Sequence, residues 1–384
     1  MIIDRTVTKL ILDKLASEPR VIVLYGPRQS GKTVILHEIT DKKKKDGKEV
    51  LFLKGDDVRI QEIFSVSDYD KISKFIGNPQ ILIIDEAQKI ENVGSSLKLL
   101  FDSRPIHIIA SGSASFDLAN KVNEPLTGRA TFFTAYPLSV AETRFEVPNF
   151  SLESRLDEFL RFGMYPKVHT LSGEKEKEEY LYDIINTYLY QDLLSFGDIK
   201  KPKKILDLLS LLSLQLGSEV NIEELADNLS VHRSTVEKYL DILEKMFILV
   251  NIRGFSRNLR KEVSKMSKYY FTDLGVRNAI IRNFNPLKIR SDTGALFENF
   301  GVLERIKLIS NARLHANFYF WRTYDQKEID LIEERDGKLA AFEYKYGDGN
   351  IPNATRKEFL GTYSSSDLKK VNGKNLEESL TLDQ

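Results

Sequence analysis

An α/β fold organised on a parallel sheet is what this sequence predicts, and three observations predict it. A buried-strand pattern, a glycine-bounded loop and a helix start follow one another in VIVLYGPRQSGKTVIL, Val21 to Leu36. A second, wholly apolar run, Ile81 to Ile84, ends in Asp85-Glu86, as a central parallel strand delivers carboxylates at its C-terminal edge. A third, Ile106 to Ala110, ends in Ser111-Gly112-Ser113. Downstream of this domain the pattern changes to a helical extension, a helix-turn-helix segment and a second α/β domain. The expected boundaries are 1–148, 149–202, 203–284 and 285–384.

The 384 residues allow two or three domains, and 42% hydrophobic with 29% charged residues is ordinary for a globular protein. Lys plus Arg and Asp plus Glu are both 56, so no global field points to nucleic acid or membrane, and such partners must be argued from local patches. Cysteine is absent, which removes disulfides, thiolate metal sites and cysteine nucleophiles. The charged start MIIDRTVTKL is no signal peptide, and no apolar run approaches the roughly 18 residues of a membrane span. A cytoplasmic protein without a membrane partner is expected.

Val7, Leu10, Ile11 and Leu15 predict a short packing helix before the first strand. Gly26, Gly31, Lys32 and Thr33 then satisfy G-x-x-x-x-G-K-[ST], with Pro27, Arg28, Gln29 and Ser30 between the glycines. Such a loop turns backbone N–H groups onto phosphate oxygens, the helix N-terminus adds positive potential, Lys32 reaches the β/γ-phosphates and Thr33 ligates Mg²⁺. The cofactors implied are ATP and Mg²⁺. Lys42 to Glu49 reads as a solvated turn and Val50 to Leu53 as the second strand.

Asp85 is expected to hold the metal and Glu86 to polarise the attacking water. Ser111 or Ser113 stands where the γ-phosphate would lie. Arg129, just before the strand Thr131 to Thr134, reads either as a transition-state cation, in cis or from a neighbouring subunit of a homo-oligomer, or as a surface ion pair. GPRQSGKT, ILIIDEAQ, ASGSAS, LTGRA and FGMYPKV, in that order, resemble a prokaryotic family of AAA+-like ATPases that join a P-loop domain to a C-terminal domain of unknown function. The resemblance implies ATP binding by Lys32 and Thr33, metal binding by Asp85 and hydrolysis by Glu86. It leaves the biological role open.

Gly163-Met164-Tyr165-Pro166 predicts a sharp interhelical turn, GEKEKEE from Gly173 a solvated helix face, and Tyr180, Ile184, Tyr188 and Asp192 a continuing helix. Lys200 to Lys203 reads as a linker and Ile205 to Leu216 as an apolar helix. NIEELADNLSVHRSTVEKYLDILEKMFIL then predicts two helices with a turn near Leu229 to Val231, a pair resembling a winged helix-turn-helix. Its second helix would carry His232, Arg233, Ser234, Thr235 and Lys238. Arg253, Arg257, Arg260, Lys261, Lys265 and Lys268 against Glu262 give a local net charge of plus five, suited to a wing on phosphates. DNA contact and a plain packing or oligomerisation role both remain open for this segment.

Gly294 to Leu308 predicts an amphipathic helix presenting Glu298. Two strand-like runs place Asp330 among apolar residues and Glu343 and Lys345 two apart, on one face. An acid, then Glu-x-Lys on the next strand, resembles the PD-(D/E)XK nuclease core, with Ile329 where that pattern has proline. The resemblance implies that Asp330 and Glu343 hold Mg²⁺, that Lys345 acts electrostatically on the water or phosphate, and that Glu298 completes the shell or orients Lys345. The function expected is an ATPase acting on or regulated by DNA. The alternative is a nucleotide switch that binds a protein partner through non-catalytic C-terminal domains.

Overall fold

The computed structural model describes residues 3–113, 126–144, 151–189, 201–256, 267–363 and 366–382. The chain divides into two compact units, Met1–Leu138 with Lys245–Phe247, and Ser139–Glu244 with Ile248–Gln384.

In the first unit, β1 (Val21–Tyr25), β2 (Val50–Lys54), β3 (Ile81–Asp85), β4 (His107–Gly112) and β5 (Ala130–Thr134) form one sheet in the order β2-β3-β4-β1-β5. Every pairing is parallel. The apolar runs are continuous because both faces are covered, and the strand period of two divides them. Val21, Val23, Leu82, Ile84 and Ile108 pack into one core, Ile22, Leu24, Ile81, Ile83 and Ile109 into the other. The helices α1 (Thr6–Leu15), α2 (Lys32–Lys45), α3 (Val58–Phe64), α4 (Tyr69–Ile76) and α5 (Val93–Ser103) supply the covering faces. The lysine run after Thr40 is the last turn of α2 rather than a turn outside it, where cations favour the helix dipole. Strand order has a direct chemical consequence. Because β4 lies between β1 and β3, its C-terminal serines are carried between the glycine loop after β1 and the two acids closing β3.

The second unit combines helices with a six-stranded sheet of order β11-β10-β9-β8-β6-β7: β6 (Leu249–Gly254), β7 (Ser267–Phe271), β8 (Asn317–Arg322), β9 (Glu328–Arg335), β10 (Lys338–Tyr344) and β11 (Asp367–Val371). Its helices longer than one turn are α6 (Leu152–Phe162), α7 (Glu174–Asp183), α8 (Pro202–Leu214), α9 (Ile222–Leu229), α10 (Arg233–Lys245), α11 (Leu274–Ile280), α12 (Thr293–Asn311) and α13 (Asn353–Thr362) among the described residues. Two expectations change here. The boundary at 284/285 falls within one sheet, since β6 pairs β8 through Arg253–Tyr319 and Gly254–Phe320. The face of α7 is not wholly solvated either: Lys177 is buried and donates to Glu158. Beyond α7 the chain continues as a π-helical segment, Ile184–Leu189, and Asp192 and Lys200 lie outside the described residues.

The Gly163-Met164-Tyr165-Pro166 turn acquires a physical reason. Gly163 ends α6 with φ +74°, and a Cβ there would stand 2.1 Å from Asp273 Oδ1. Asp273 accepts hydrogen bonds from Met164 N at 2.6 Å and from Val276 N at 3.1 Å, so the turn is docked on the buried N-cap of α11. Burial pushes the Asp273 carboxyl above its usual range while the backbone donors oppose that rise.

Candidate functional site

At the C-terminal edge of the first sheet the loop of residues 26–31 carries the chain from β1 into α2. Gly26 has φ +150°, and a Cβ on it would lie 2.3 Å from the Ala135 carbonyl oxygen, so the loop closes only with glycine there. Lys32 is buried at the start of α2 and donates to the carbonyls of Gly26 at 2.8 Å and Pro27 at 2.9 Å, spanning the loop's mouth. Ser30 Oγ is buried and has no hydrogen-bond partner among the described residues. Next to Lys32, Thr33 Oγ1 donates to Asp85 Oδ2 at 2.7 Å. This brings together the hydroxyl and the carboxylate expected at the metal from positions 52 residues apart.

The acids are held from below. Ser111 Oγ donates to Asp85 Oδ1, and Glu86 N donates to both Asp85 Oδ1 at 3.1 Å and Ser111 Oγ at 3.2 Å. Glu86 adopts φ +54°, a left-handed conformation costly for a residue with a Cβ, and such strain clusters at working sites. Its Oε2 accepts from Gln88 Nε2 at 2.5 Å, and the same nitrogen lies 3.2 Å from Ser113 Oγ. Ser111 therefore orients Asp85, while Ser113 and Gln88 stand beside Glu86. Thr33 and Asp85 offer the hard oxygen atoms that suit Mg²⁺, which when bound would neutralise phosphate charge.

A further residue of this site has no signature in the sequence. Arg5, at the N-cap of α1 and 6% exposed, donates through Nη1 to the Ser30 carbonyl and through Nη2 to the Tyr136 carbonyl, each at 2.6 Å. It ties the Ser30 carbonyl of the loop to the chain just after β5 and so braces the loop. Bonds from a charged donor contribute about 1.5–3 kcal/mol, so Arg5→Ala is expected to weaken nucleotide binding roughly tenfold or more. Titration with a fluorescent ATP analogue checks this; Arg5→Lys, keeping one donor, should recover part of the loss.

Arg129 is placed elsewhere. Because β5 runs parallel to β1, the residue before it lies at the N-terminal edge of the sheet, and Val21 N donates to the Arg129 carbonyl at 3.3 Å. The length of β1, roughly 16 Å at strand rise, separates that edge from the glycine loop. The guanidinium instead pairs with Asp102 at 2.7 Å, both side chains being more than a third exposed. Arg129 thus lies at the sheet edge opposite the glycine loop, in a surface ion pair. Arg129→Ala is expected to leave turnover of the dilute protein unchanged and to cost at most about 1 kcal/mol of stability, read from steady-state hydrolysis and thermal melting.

In the second unit, β9 and β10 run antiparallel, with Leu331 opposite Phe342, which sets Asp330 beside Glu343. Both are buried, at 5% and 4% exposure. Asp330 Oδ2 accepts from Tyr344 N at 2.8 Å. Glu343 Oε1 pairs with Lys345 Nζ at 2.6 Å, whereas Glu343 Oε2 has no hydrogen-bond partner among the described residues. Burial, with Glu298 and Glu343 adding to it, pushes the Asp330 carboxyl well above the usual range. Burial likewise raises that of Glu343, against the opposing Lys345. Among the described residues no group of three or more His, Asp or Glu side chains is arranged to hold a metal ion. Two carboxylates are nonetheless compatible with Mg²⁺, which keeps several waters and binds through one or two acids plus phosphate.

Glu298 is the departure. Its charge acts on the Asp330–Glu343 pair, yet its Oε1 is engaged elsewhere, accepting from Tyr270 OH at 2.6 Å and from Lys268 Nζ at 3.1 Å. Lys268, expected on a phosphate-contacting wing, is 1% exposed and also pairs with Glu328. Burial alone would lower its ammonium pKa, but Glu298, Asp330 and Glu328 raise it, so it stays charged. Of the other basic residues there, Arg253 is exposed on β6 and Arg257, Arg260, Lys261 and Lys265 lie outside the described residues. On the helix pair, Ser230 takes φ +51° in the turn and His232, Arg233, Ser234 and Lys238 are exposed. Arg233 is engaged by Glu223 and Glu237, each at 2.9 Å. No helix among the described residues is long and apolar enough to cross a membrane.

Comparison with known proteins agrees with the first unit and is silent on chemistry in the second. Residues 18–144 match the family described as an AAA domain, 153–287 a domain of unknown function, DUF8612, and 293–375 another, DUF4143. An uncharacterised protein of Mycobacterium tuberculosis is 28% identical over 350 residues, covering 90% of this chain and 74% of its own length. One from Methanocaldococcus jannaschii is 26% identical over 385 residues, covering 92% and 84%. Among solved structures, a Walker-type ATPase of Pyrococcus abyssi superposes with TM-score 0.50 at 15% identity, over 73% of this chain and 96% of that one. Residues 18–144 thus match an AAA domain, and the first unit has the fold of P-loop ATPases.

Proposed function

We propose that this P-loop domain binds ATP with Mg²⁺ and hydrolyses it, and that the second unit makes the enzyme act on DNA or answer to it. The observation that carries the ATPase reading is the convergence of Thr33 and Asp85 at 2.7 Å beside Glu86, itself hydrogen-bonded to Gln88. Lys32 and the loop N–H groups bind phosphate charge; Thr33 and Asp85 hold the metal; Glu86 takes the proton of the attacking water. Ser113, at the end of β4, is the group through which the γ-phosphate is sensed. ATP turnover measured with and without single- and double-stranded DNA tests the whole reading. Stimulation by either nucleic acid supports it, and hydrolysis indifferent to both leaves an ATPase whose second unit serves a protein partner.

For the second unit the favoured chemistry is metal-dependent attack on a phosphodiester. What supports it is a buried acid on one strand, a Glu-x-Lys on its antiparallel neighbour, and a carboxylate oxygen of Glu343 left unpaired where only a cation or a donor from outside would satisfy it. The helix pair gives less support, since Arg233 already engages two carboxylates. DNA contact therefore rests on the basic segment between β6 and β7. Neutralising Arg257, Arg260 and Lys261 together is expected to weaken DNA binding for every sequence and to flatten log Kd against log salt by about one unit for each phosphate that no longer meets a cation. Fluorescence anisotropy at several salt concentrations measures this, and an unchanged slope would favour the protein-partner switch.

A further inference from the structure

The acid site of the second unit contains a cation of its own that neither its strand pair nor its helix supplies. Lys268 and Tyr270, two apart on β7, point to the same side and meet Glu298 of α12. Lys268 Nζ is shared between Glu298 and Glu328 and lies 5.4 Å over the Phe320 ring, with 1% of the residue exposed. Arg322 also pairs with Glu328, at 3.3 Å, and with a further carboxylate, Glu219, at 3.4 Å. On the other side of the cluster Glu343 keeps an oxygen unpaired while Asp330 is tied to a backbone N–H. Glu298 and Glu328 thus take the direct contacts of Lys268, whose charge also reaches Asp330, while Glu343, paired with Lys345 through one oxygen, keeps the other unpaired.

Resting on the metal reading of this site, we propose that Lys268 is its built-in counter-ion. By holding Glu298 and Glu328 it confines a divalent cation to the Asp330–Glu343 pair and sets how tightly that cation is held. A long ammonium side chain fully enclosed by carboxylates competes with a divalent ion for the same oxygen atoms, because each acid neutralised by the lysine is one fewer ligand and one less negative charge. Removing that charge should leave Glu298 unneutralised beside the pair, adding negative charge near the ion. Even with water-like screening, one unit charge taken from the neighbourhood of a divalent ion changes its affinity by about tenfold. Lys268 is thus a positioning residue, acting on the metal through Glu298.

The test is calorimetric titration of the full-length, nucleotide-free protein with MnCl₂, comparing wild type, Glu343→Gln, Glu298→Gln, Lys268→Met and the Lys268→Met/Glu298→Gln double variant. The expected pattern is binding in the wild type that Glu343→Gln abolishes and Glu298→Gln leaves within about twofold. Lys268→Met, checked for fold by circular dichroism, should bind at least about tenfold more tightly, with the gain lost in the double variant. Should the wild type bind nothing measurable while Lys268→Met binds, the counter-ion role is equally supported. Loss of binding in Glu298→Gln would make Glu298 a ligand, and unchanged or weaker binding in a folded Lys268→Met would remove the competition. Either outcome overturns the proposal while leaving the metal reading intact, and the first holds even if Lys268→Met does not fold. No binding in any of the proteins overturns the metal reading and the proposal with it.

Discussion

Glu86→Gln is expected to bind ATP as the wild type does, within about twofold, and to lose about 10²–10⁴ of its turnover, the size of a general-base contribution. Glutamine is nearly isosteric, and its side-chain oxygen can still accept the bond from Gln88 Nε2 that now ends on Glu86 Oε2. What it cannot do is take a proton from water. Lys32→Ala should behave in the opposite way. The ammonium that spans the Gly26 and Pro27 carbonyls is both the loop's internal brace and its positive charge, so its loss removes nucleotide binding itself. Equilibrium binding of a fluorescent ATP analogue and steady-state phosphate release, measured on both variants, separate the two effects. Equal loss of binding in both would break the assignment of Glu86 to the water.

The second large effect concerns the acid site of the second unit. If the second unit cleaves DNA as proposed, Asp330→Ala and Glu343→Ala are each expected to abolish its Mg²⁺- or Mn²⁺-dependent cleavage, because between them they would supply the hard oxygen ligands at the place where the strands set them side by side. Lys345→Ala should keep metal binding and lose rate. Its ammonium pairs with Glu343 at 2.6 Å and cannot itself ligate, so its part is to hold water or stabilise developing negative charge beside the ion. Hydrolysis of ATP should survive all three changes, since all three residues belong to the second unit. Gel assays for nicking and cutting with each metal, run alongside phosphate release, read both activities. A wild-type protein that cuts neither DNA nor RNA would leave the same residues as an ion-paired relic.

The parts of this architecture that are legible in the sequence share one property: their chemistry lies in consecutive residues. The glycine loop, the apolar strands of the first sheet and the Asp85-Glu86 pair are each written within a few positions, and parallel strands buried on both faces give continuous apolar runs. Arg5 is invisible there because its partners are 25 and 131 residues away, and no local pattern marks an arginine that clamps two carbonyls. For Arg129 the sequence does hold a signal against a catalytic place in cis. A residue immediately preceding a parallel strand lies at the edge opposite the one where such a sheet binds phosphate. Charge counting makes Lys268 a surface cation, whereas its spacing of two from Tyr270, on a strand buried from Lys268 to Phe271, marks it as inward-facing. The separate roles of Glu298 and Glu343 cannot be divided from sequence at all, since the lysine that divides them comes from another strand.

The pairing of β6 with β8 has a practical consequence for dissecting the protein. A fragment beginning near residue 285, where sequence pattern suggests a natural start, would keep β8 to β11 and lose β6 and β7. The backbone groups of Tyr319 and Phe320 that now meet Arg253 and Gly254 would become a raw sheet margin, and raw margins recruit other chains. The half-buried carboxylate of Glu298 would at the same time lose the lysine that pairs with it. Such a truncation should therefore express as aggregate, and a soluble piece requires the chain from β6 onward.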